Sequence, residues 1–254
     1  MELTVLGKSP SWQDASGACS GYLVREQGFS LLLDCGSGVF GKLRAVCDYA
    51  ELDAVVISHL HPDHIFDLVP LVAALSYSRR APLPCPALYL PPGGLQWLER
   101  LASLWTTPDY FERALKASEY DPSRAATTAL GPMTARFMGV PHFIAAFAVE
   151  LTGADGRRFT FGADCRFNDE LVEFARETDL LLLEATTGER QPQSDGGHMS
   201  AREAGELARR AGAGKLVLTH FSDELDAVRV LAEGCEGFGS GAVELATPGA
   251  RFTP

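Results

Sequence analysis

The chain of 254 residues is long enough for one large domain, and its 46% hydrophobic content is sufficient for a buried core and untypical of a disordered chain. Its formal net charge of −11 argues against a protein that binds the backbone of a long nucleic acid, because such binding needs a basic surface. Apolar runs such as Leu180–Leu183 are too short to cross a bilayer, and the N-terminal residues lack the features of a signal peptide. We therefore expect a cytoplasmic protein without a membrane partner.

Short apolar runs predict a series of β-strands. In chain order, the predicted strands are Leu3–Leu6, Tyr22–Arg25, Phe29–Asp34, Leu52–Ser58, Ala87–Leu90, Thr134–Gly139, Ala145–Leu151, Arg158–Gly162, Leu180–Glu184, Lys215–Thr219 and Ala242–Ala246. Gln27-Gly28 and Asp155-Gly156 are tight-turn signals, so each predicts a hairpin between the strands that flank it.

Helical patterns fill the gaps between these strands. The predicted helices are Gly38–Cys47, Ile65–Tyr77, Gly94–Leu104, Asn168–Glu177, Ala201–Ala211 and Asp223–Ala232. Ser200 and Glu203 form a capping box at the start of Ala201–Ala211. Strands interspersed with helices predict an α/β fold in which helices cover the sheets, and residues 1–254 are predicted to form a single domain.

Some segments give weaker signals. The proline-rich stretch Ser78–Pro92 is predicted to be a surface loop near the site, and Arg79-Arg80 within it is interpreted as a solvated pair. Gly36-Ser37-Gly38 is only a weak candidate for phosphate contact. The six cysteines contain no C-x-x-C pair and are expected to be buried thiols rather than a disulfide framework. The region Trp105–Pro132 gives no clear prediction.

Histidine is concentrated in one place. Of six histidines in the chain, three lie within six residues beside Asp63, directly after the predicted strand Leu52–Ser58. Sites in α/β proteins form at the carboxyl ends of strands, and His59 and His61 are two apart, so their side chains share one side. Imidazole and carboxylate groups suit Zn, Mn or Fe, and without a metal a buried cluster of this kind would lack partners. The cluster therefore predicts a metal site.

The run His59-x-His61-x-Asp63-His64 resembles the signature of the metallo-β-lactamase superfamily. Ser58–Leu68 is particularly similar to the RNase Z branch, although Asp67 stands where that branch has glycine. The similarity extends over nearly the whole chain, with Cys165 standing where the family usually has serine or threonine. The other matching segments are Gly21–Val24, Leu32–Gly36, Val140–His142, Phe161–Cys165, Leu183–Thr186, Gly197–Ser200 and Thr219–Phe221.

This resemblance implies an αββα sandwich built from two similar halves. It also implies a site with two divalent metal ions, zinc being the first expectation and manganese or iron being open, and a hydroxide between the metals as the nucleophile. The implied ligands are His59, His61 and His142 for one metal, Asp63, His64 and His220 for the other, and Asp164 as the bridge.

Asp63 receives a second role, and three further residues receive a first one, from the same resemblance and its chemistry. Asp63 is a candidate to orient the hydroxide or accept its proton. His198 is the candidate general acid, or a hydrogen-bond donor to a phosphoryl oxygen, and Glu184 is a candidate to orient it. Asp34 is expected to support the ligand loop through hydrogen bonds.

The branch resemblance favours phosphodiester chemistry. RNase Z carries a long tRNA-binding arm between the segments that correspond to His142 and Asp164, whereas here only Phe143–Ala163 separate them. We therefore predict a compact phosphodiesterase for a small phosphodiester such as a cyclic nucleotide, without a stable nucleic-acid partner. A tRNA 3′-end endonuclease, a lactone or thioester hydrolase and a non-catalytic metal- or nucleotide-binding protein are the alternatives, and a homodimer is left open.

Overall fold

Two mixed β-sheets form the centre of the computed structural model, which describes residues 1–123, 126–188, 196–239 and 242–254. Within these residues the first sheet contains β1 (Glu2–Gly7), β2 (Gly21–Glu26), β3 (Phe29–Leu33), β4 (Ala54–Val56), β5 (Ala87–Leu90), β6 (Lys116–Glu119) and β14 (Arg251–Phe252). Their order is β14-β1-β2-β3-β4-β5-β6. The parallel part of this sheet begins at β3.

The second sheet repeats this arrangement. Its described strands are β7 (Thr128–Leu130), β8 (Met133–Val140), β9 (Ala146–Thr152), β10 (Arg158–Phe161), β11 (Leu180–Glu184), β12 (Lys215–Thr219) and β13 (Ala242–Leu245). Their order is β13-β12-β11-β10-β9-β8-β7. In both sheets an antiparallel meander passes into parallel strands, β3 to β6 in the first and β10 to β13 in the second. The chain therefore has two similar halves, as the sequence predicts.

Helices supply the crossovers that parallel strands need. They are α1 (Val39–Val46), α2 (Pro62–Ile65), α3 (Leu68–Tyr77), α4 (Gly94–Ser103), α5 (Asp169–Phe174), α6 (Ala201–Ala211) and α7 (Ala227–Phe238), with a 3₁₀ turn at Tyr49–Glu51. No helix among the described residues has the length and apolar character needed to cross a membrane.

Alternation along the strands creates a core on each face of a sheet. Leu31 and Leu33 of β3 pack between the two sheets, whereas Leu32 belongs to the cluster under α1, α3 and α4. The sheets face each other directly, because the ring centroids of Tyr22 in β2 and Phe161 in β10 are 5.4 Å apart. The predicted αββα sandwich is confirmed.

Most predicted elements are present with small changes of boundary. The hairpin at Gln27-Gly28 is confirmed, and both turn residues have positive φ, as a tight two-residue turn requires. The predicted helix Ile65–Tyr77 is wrong as a single element, because α2 ends at Ile65 and α3 begins at Leu68. The predicted helix Asp223–Ala232 is wrong in its bounds, since Asp226 accepts the backbone N–H of Val228 and begins α7 four residues later.

The proline-rich stretch Ser78–Pro92 does not lie where it is predicted. Its later residues form β5, and residues 78–86 lead into the amino end of that strand, whereas the histidines follow the carboxyl end of the parallel neighbour β4. Arg80 donates two hydrogen bonds to Asp48, just before the 3₁₀ turn that precedes β4. Residues 78–86 therefore lie at the edge of the sheet opposite the site, and only Pro91 and Pro92 leave β5 on the site's side.

The six cysteines are free thiols, as predicted, but the prediction that they are buried is wrong for two of them, since Cys85 is half-buried and Cys235 is exposed. Cys165, next to Asp164, is fully buried, and burial raises the pKa of its thiol well above the ordinary value. A buried protonated thiol is a poor nucleophile, which agrees with Cys165 as a small packing residue.

Candidate metal centre

The histidine cluster begins where β4 leaves the first sheet. His59 and His61 follow the strand in extended backbone, and their ring centroids lie 5.0 Å apart, so the shared side that their spacing predicts is confirmed. Pro62 then begins α2, with His61 as its N-cap, and this turn brings His64 back beside His59 at a ring separation of 3.9 Å. The change from strand to helix thus gathers three imidazoles within six residues.

The remaining predicted ligands come from the second sheet. His142 follows β8, Asp164 follows β10 and His220 follows β12. Because β10 and β12 run parallel to each other within that sheet, their carboxyl ends meet at one edge. The two sheets therefore deliver their ligands to a common point between them.

At this point the side chains form two adjoining groups. One contains His59, His61 and His142, and the other contains Asp63, His64, Asp164 and His220; in each, the donor atoms lie within 4.8 Å of one another. Asp164 lies between the groups, since its Oδ2 is 3.7 Å from His59 Nε2 and 3.1 Å from His220 Nε2. Both groups are suited to metal binding, and the carboxylate of Asp164 is placed to serve either one.

The electrostatics of the cluster favour a cation. Burial lowers the pKa of His59 well below its ordinary value and that of His142 to about 4, so both rings are neutral and offer lone pairs. Burial opposes ionisation of Asp63 and Asp164, but hydrogen bonds and charges from neighbouring histidines, His220 and His64 above all, lower the pKa values of both carboxyls. Neutral imidazoles beside ionised carboxylates are the ligands that divalent transition metals prefer.

Asp34 orients two of the candidate ligand histidines. It is fully buried after β3 and accepts hydrogen bonds from Ser58 N at 2.7 Å, Ser58 Oγ at 2.8 Å and His64 Nδ1 at 2.7 Å. Since the Ser58 hydroxyl proton goes to Asp34, His59 Nδ1 donates to Ser58 Oγ at 3.0 Å. Both histidines thereby keep Nε2 free toward the cluster, and the support predicted for Asp34 is present.

Glu184 occupies the corresponding place in the second sheet. It is buried at the end of β11 and accepts from His198 Nδ1 at 3.0 Å, Cys165 N at 2.7 Å and Thr186 Oγ1 at 2.6 Å. Because the Thr186 hydroxyl donates to Glu184, His220 Nδ1 donates to Thr186 Oγ1 at 2.8 Å. One carboxylate therefore orients His198 directly and His220 through a threonine.

His198 stands beside both metal groups without belonging to the two ligand sets. Its ring centroid is 5.0 Å from that of His142 and 5.6 Å from that of His220. Burial acts against its protonation, but the hydrogen bond and charge of Glu184 raise its pKa to about 9. The orienting role predicted for Glu184 agrees with this geometry.

The glycine-rich segment after Asp34 supports the ligand turn by close packing. A Cβ on Gly36 would lie 1.8 Å from the carbonyl oxygen of Asp63, so only glycine allows this approach. Cys35 N donates to His64 O at 2.7 Å across the same contact. The segment thus holds α2 in place, which gives Gly36 a role other than phosphate contact.

Comparison with known proteins agrees with this architecture. Residues 30–221 match the sequence model of the β-lactamase superfamily domain. The chain belongs to the metallo-β-lactamase superfamily. The probable metallo-hydrolase YhfI of Bacillus subtilis is 34% identical over 225 residues, which cover 87% of each chain. The crystal structure of YhfI superposes with a TM-score of 0.88 at 30% identity over 99% of both chains.

A second relative belongs to the branch that the sequence motifs resemble. Ribonuclease Z of Thermoplasma acidophilum is 25% identical over 276 residues, covering 89% of this chain and 88% of that protein. The resemblance of the chain to RNase Z is therefore confirmed, and the protein is a hydrolase of the metallo-β-lactamase fold whose His/Asp cluster suits metal ions.

Asp67 departs from the glycine of the RNase Z branch of this superfamily, and its contacts explain the change. Its Oδ2 accepts the backbone N–H of Phe40 at 2.8 Å, in the first turn of α1. A carboxylate at a helix N-terminus satisfies an otherwise free donor and interacts favourably with the helix dipole. In this chain Asp67, at the position where the branch has glycine, therefore has a structural role.

Two residues that support the site of this superfamily member are not predicted from the sequence. Thr186 lies in a recognised motif but shows its role only through its contact with His220. Lys8 is 213 residues from its partner in the chain: its Nζ donates to Phe221 O at 2.6 Å and pairs with Asp14 at 2.5 Å, with only 7% of the residue exposed. A buried cation so far away in sequence leaves no local pattern to find.

Backbone strain accompanies three site positions. Asp34, Ala163 and His220 have φ values of 58°, 54° and 51°, in the left-handed region that non-glycine residues avoid. Each follows the end of a strand, and each turns the chain so that a carboxylate or imidazole enters the cluster. The hydrogen bonds of Asp34 and His220 help to hold these conformations.

Proposed function

We propose that this protein holds two divalent metal ions, with zinc as the first choice, and hydrolyses a small phosphodiester such as a cyclic nucleotide. The observation that carries the proposal is His198, a ring fixed by Glu184 through Nδ1, with a nitrogen within 4.8 Å of donor atoms of His142 and Asp164 and outside the two ligand sets that we assign. A phosphodiester has a poor leaving group, so a positioned proton donor beside the metals is the part that such a reaction requires.

The residues present fit the metal ions. His59 Nε2 is buried and has no hydrogen-bond partner within the described residues, although the ring is held through Nδ1, and His64 Nε2 is directed at the carboxylate of Asp164 at 3.3 Å. Leaving such atoms unpaired is costly unless a ligand takes them. We assign His59, His61 and His142 to one ion, Asp63, His64 and His220 to the other, and Asp164 to both.

Bound divalent ions would supply Lewis acidity, polarising a phosphoryl oxygen and lowering the pKa of a water molecule to the neutral range. The protein supplies the rest of the chemistry. Asp63, beyond its proposed role as a ligand, orients the attacking water or accepts its proton. His198 donates a proton from Nε2 to the leaving oxygen, and Glu184 keeps that ring in position through Nδ1.

The preference for a small substrate follows from the short chain segment between His142 and Asp164 and from the net charge. The segment from Phe143 to Ala163 is β9 and β10 joined by a tight turn at Asp155-Gly156, with no inserted arm. The formal net charge is −11, and a long nucleic acid would require many cationic contacts to its phosphates. A cyclic or otherwise compact diester needs only the cluster, His198 and a pocket.

A substrate panel tests this proposal. Purified protein is loaded with Zn²⁺ or Mn²⁺, its metal content is measured, and it is assayed with bis(p-nitrophenyl) phosphate, cyclic mononucleotides, dinucleotides, a tRNA precursor, a lactone and a thioester. We expect close to two ions per chain and turnover of the small diesters with modest dependence on salt.

Other outcomes identify the alternatives. Ribonuclease Z of Thermoplasma acidophilum is named for RNA cleavage, and position-specific trimming of a tRNA 3′ extension without activity on cyclic nucleotides would replace our proposal with that function. Turnover confined to the lactone or thioester would point to a non-phosphodiester hydrolase. No turnover of any substrate by fully loaded protein would indicate a binding protein, and saturation at one ion would contradict the two-metal site.

A further inference from the structure

An exposed aromatic ring stands at the edge of the metal centre. Phe143, directly after His142, is 65% exposed, and its ring centroid lies 5.1 Å from that of His142 and 5.8 Å from that of His198. Among the exposed aromatic side chains of the described residues, it is the one with ring contacts to the site histidines. A large apolar ring left in water beside a reaction centre suggests a contact made by the substrate.

The position of this ring is fixed by its surroundings. A Cβ on Gly197 would lie 2.4 Å, 2.6 Å and 2.8 Å from three carbons of the Phe143 ring, so the ring edge rests directly on glycine backbone. His142 Nδ1 also donates to Gly197 O at 2.7 Å, which ties the loop after β8 to the segment that carries His198. The ring is therefore placed in advance relative to both histidines.

The chemistry of the site decides what such a ring binds. We propose that Phe143 is a stacking platform for the nucleobase of the substrate, so that the site selects nucleotide diesters over diesters without a base. This inference rests on the proposed phosphodiesterase function. Because the ring adjoins His142 and His198, a single sugar can connect a phosphate at the cluster to a base on Phe143. Stacking tolerates any base, since every base has a π-face, and therefore predicts weak discrimination among bases.

The experiment compares two substrates that differ only in the base. Wild type, Phe143→Ala and Phe143→Trp are loaded with the same metal and assayed with cyclic AMP and with the 3′,5′-cyclic phosphate of 1-deoxyribose. For Phe143→Ala we expect kcat/KM on cyclic AMP to fall roughly 5- to 150-fold, the range that base–aromatic stacking supplies, mostly through KM. The loss on the base-free diester should be much smaller, and Phe143→Trp should restore activity on cyclic AMP.

Ile144→Ala is the matched control. Ile144 is the next residue of the same loop and is 39% exposed, so its truncation removes apolar surface without removing a ring. We expect it to leave kcat/KM on both substrates unchanged. An equal loss on both substrates for Phe143→Ala, or no loss on cyclic AMP, would overturn the stacking platform.

A binding measurement separates this inference from the function on which it rests. Calorimetric titration of the loaded wild type with AMP and with ribose 5-phosphate should show tighter binding of AMP, and Phe143→Ala should remove most of that difference. If wild type hydrolyses the base-free diester but not cyclic AMP, the platform is wrong while the phosphodiesterase stands. If it hydrolyses neither, the proposed function fails, and equal affinity for AMP and ribose 5-phosphate overturns the platform independently.

Discussion

Two buried carboxylates support this site, one in each sheet, and they differ in what they hold. Asp34 orients His64 directly and His59 through the hydroxyl of Ser58, so both of its histidines belong to the ligand groups. Glu184 orients His220 through the hydroxyl of Thr186, but its direct partner is His198. Under the proposed function, the same carboxylate–hydroxyl–histidine arrangement would support metal binding alone in the first sheet, and both metal binding and proton transfer in the second.

The largest loss of activity is expected at His198, which only the arrangement in the second sheet contains. His198→Ala removes the proton donor but no proposed ligand, so kcat should fall about 10²- to 10⁴-fold while both ions are retained. Metal content by elemental analysis and turnover of a small diester are measured on the same sample. A loss of metal would make His198 a ligand, and unchanged turnover would remove it from the mechanism.

A smaller effect, on metal affinity, is expected at the linking hydroxyl group that both arrangements contain. Thr186→Val and Ser58→Ala each remove the hydroxyl that links a carboxylate to a ligand histidine, and each should weaken the binding of one ion by about 10- to 100-fold. Competition with a chelator measures the two affinities. The two variants should affect different ions, because His220 and His59 belong to different ligand groups.

Thr187→Val provides the control for this comparison. Thr187 is the neighbour of Thr186, and within the described residues its buried Oγ1 has no hydrogen-bond partner. We expect wild-type affinity for both ions. Equal weakening in Thr186→Val and Thr187→Val would attribute the effect to general packing rather than to the bond with His220.

Lys8 holds the segment that follows His220, the histidine that Glu184 orients through Thr186. Lys8→Met leaves Phe221 O and the carboxylate of Asp14 without their partner, so we expect a loss of about 1–3 kcal/mol in the free energy of unfolding, measured with urea. Lys42→Met is the control, since half-buried Lys42 also donates to a carbonyl, that of Ser16, in a solvent-exposed hydrogen bond, and its loss should change stability by less than about 0.5 kcal/mol.

The same pair predicts a dependence on pH. Burial raises the pKa of Asp14, but the hydrogen bond and charge of Lys8 together with backbone bonding lower it below the ordinary value. A lowered pKa gives stability that is present above the ordinary value and is lost as the pH falls through the lowered one. The difference between wild type and Lys8→Met should therefore shrink in acid, and a difference that grows in acid would contradict this pairing.

Asp67 is expected to give the smallest change. Asp67→Gly restores the residue of the RNase Z branch but removes the acceptor for Phe40 N, which should cost about 0.5–2 kcal/mol of stability. Metal content and turnover should stay at wild-type values, because Asp67 lies outside both ligand groups. Reduced metal content would instead show that the glycine position controls the ligand turn.

Residues with a dense local pattern could be predicted from the sequence. The close spacing of His59, His61 and His64 predicts a metal site. The resemblance to the family then assigns three more ligands at strand ends, His142, Asp164 and His220. Buried strands could also be predicted, since four leucines in a row at β11 fit a strand covered on both faces.

Other elements could not be predicted because tertiary contacts define them. Residues of β6 (Lys116–Glu119) are mostly exposed and polar at a sheet edge, and β14 has two residues, so neither shows a strand pattern. Part of Trp105–Pro132, residues 124 and 125, lies outside the described residues. Thr186, Lys8 and Phe143 act across space, and a sequence gives no local signal for a partner 34 or 213 positions away.

The strained turns at Asp34, Ala163 and His220 have an evolutionary consequence. Their φ values favour glycine, so glycine would relieve the backbone strain at each of the three positions once function no longer requires the present side chain. At Asp34 and His220 the side chain is needed at the cluster, whereas Ala163 contributes only a methyl group. Among related sequences, glycine at position 163 should therefore be tolerated in active proteins, while glycine at 34 or 220 should mark copies that have abandoned the metal centre.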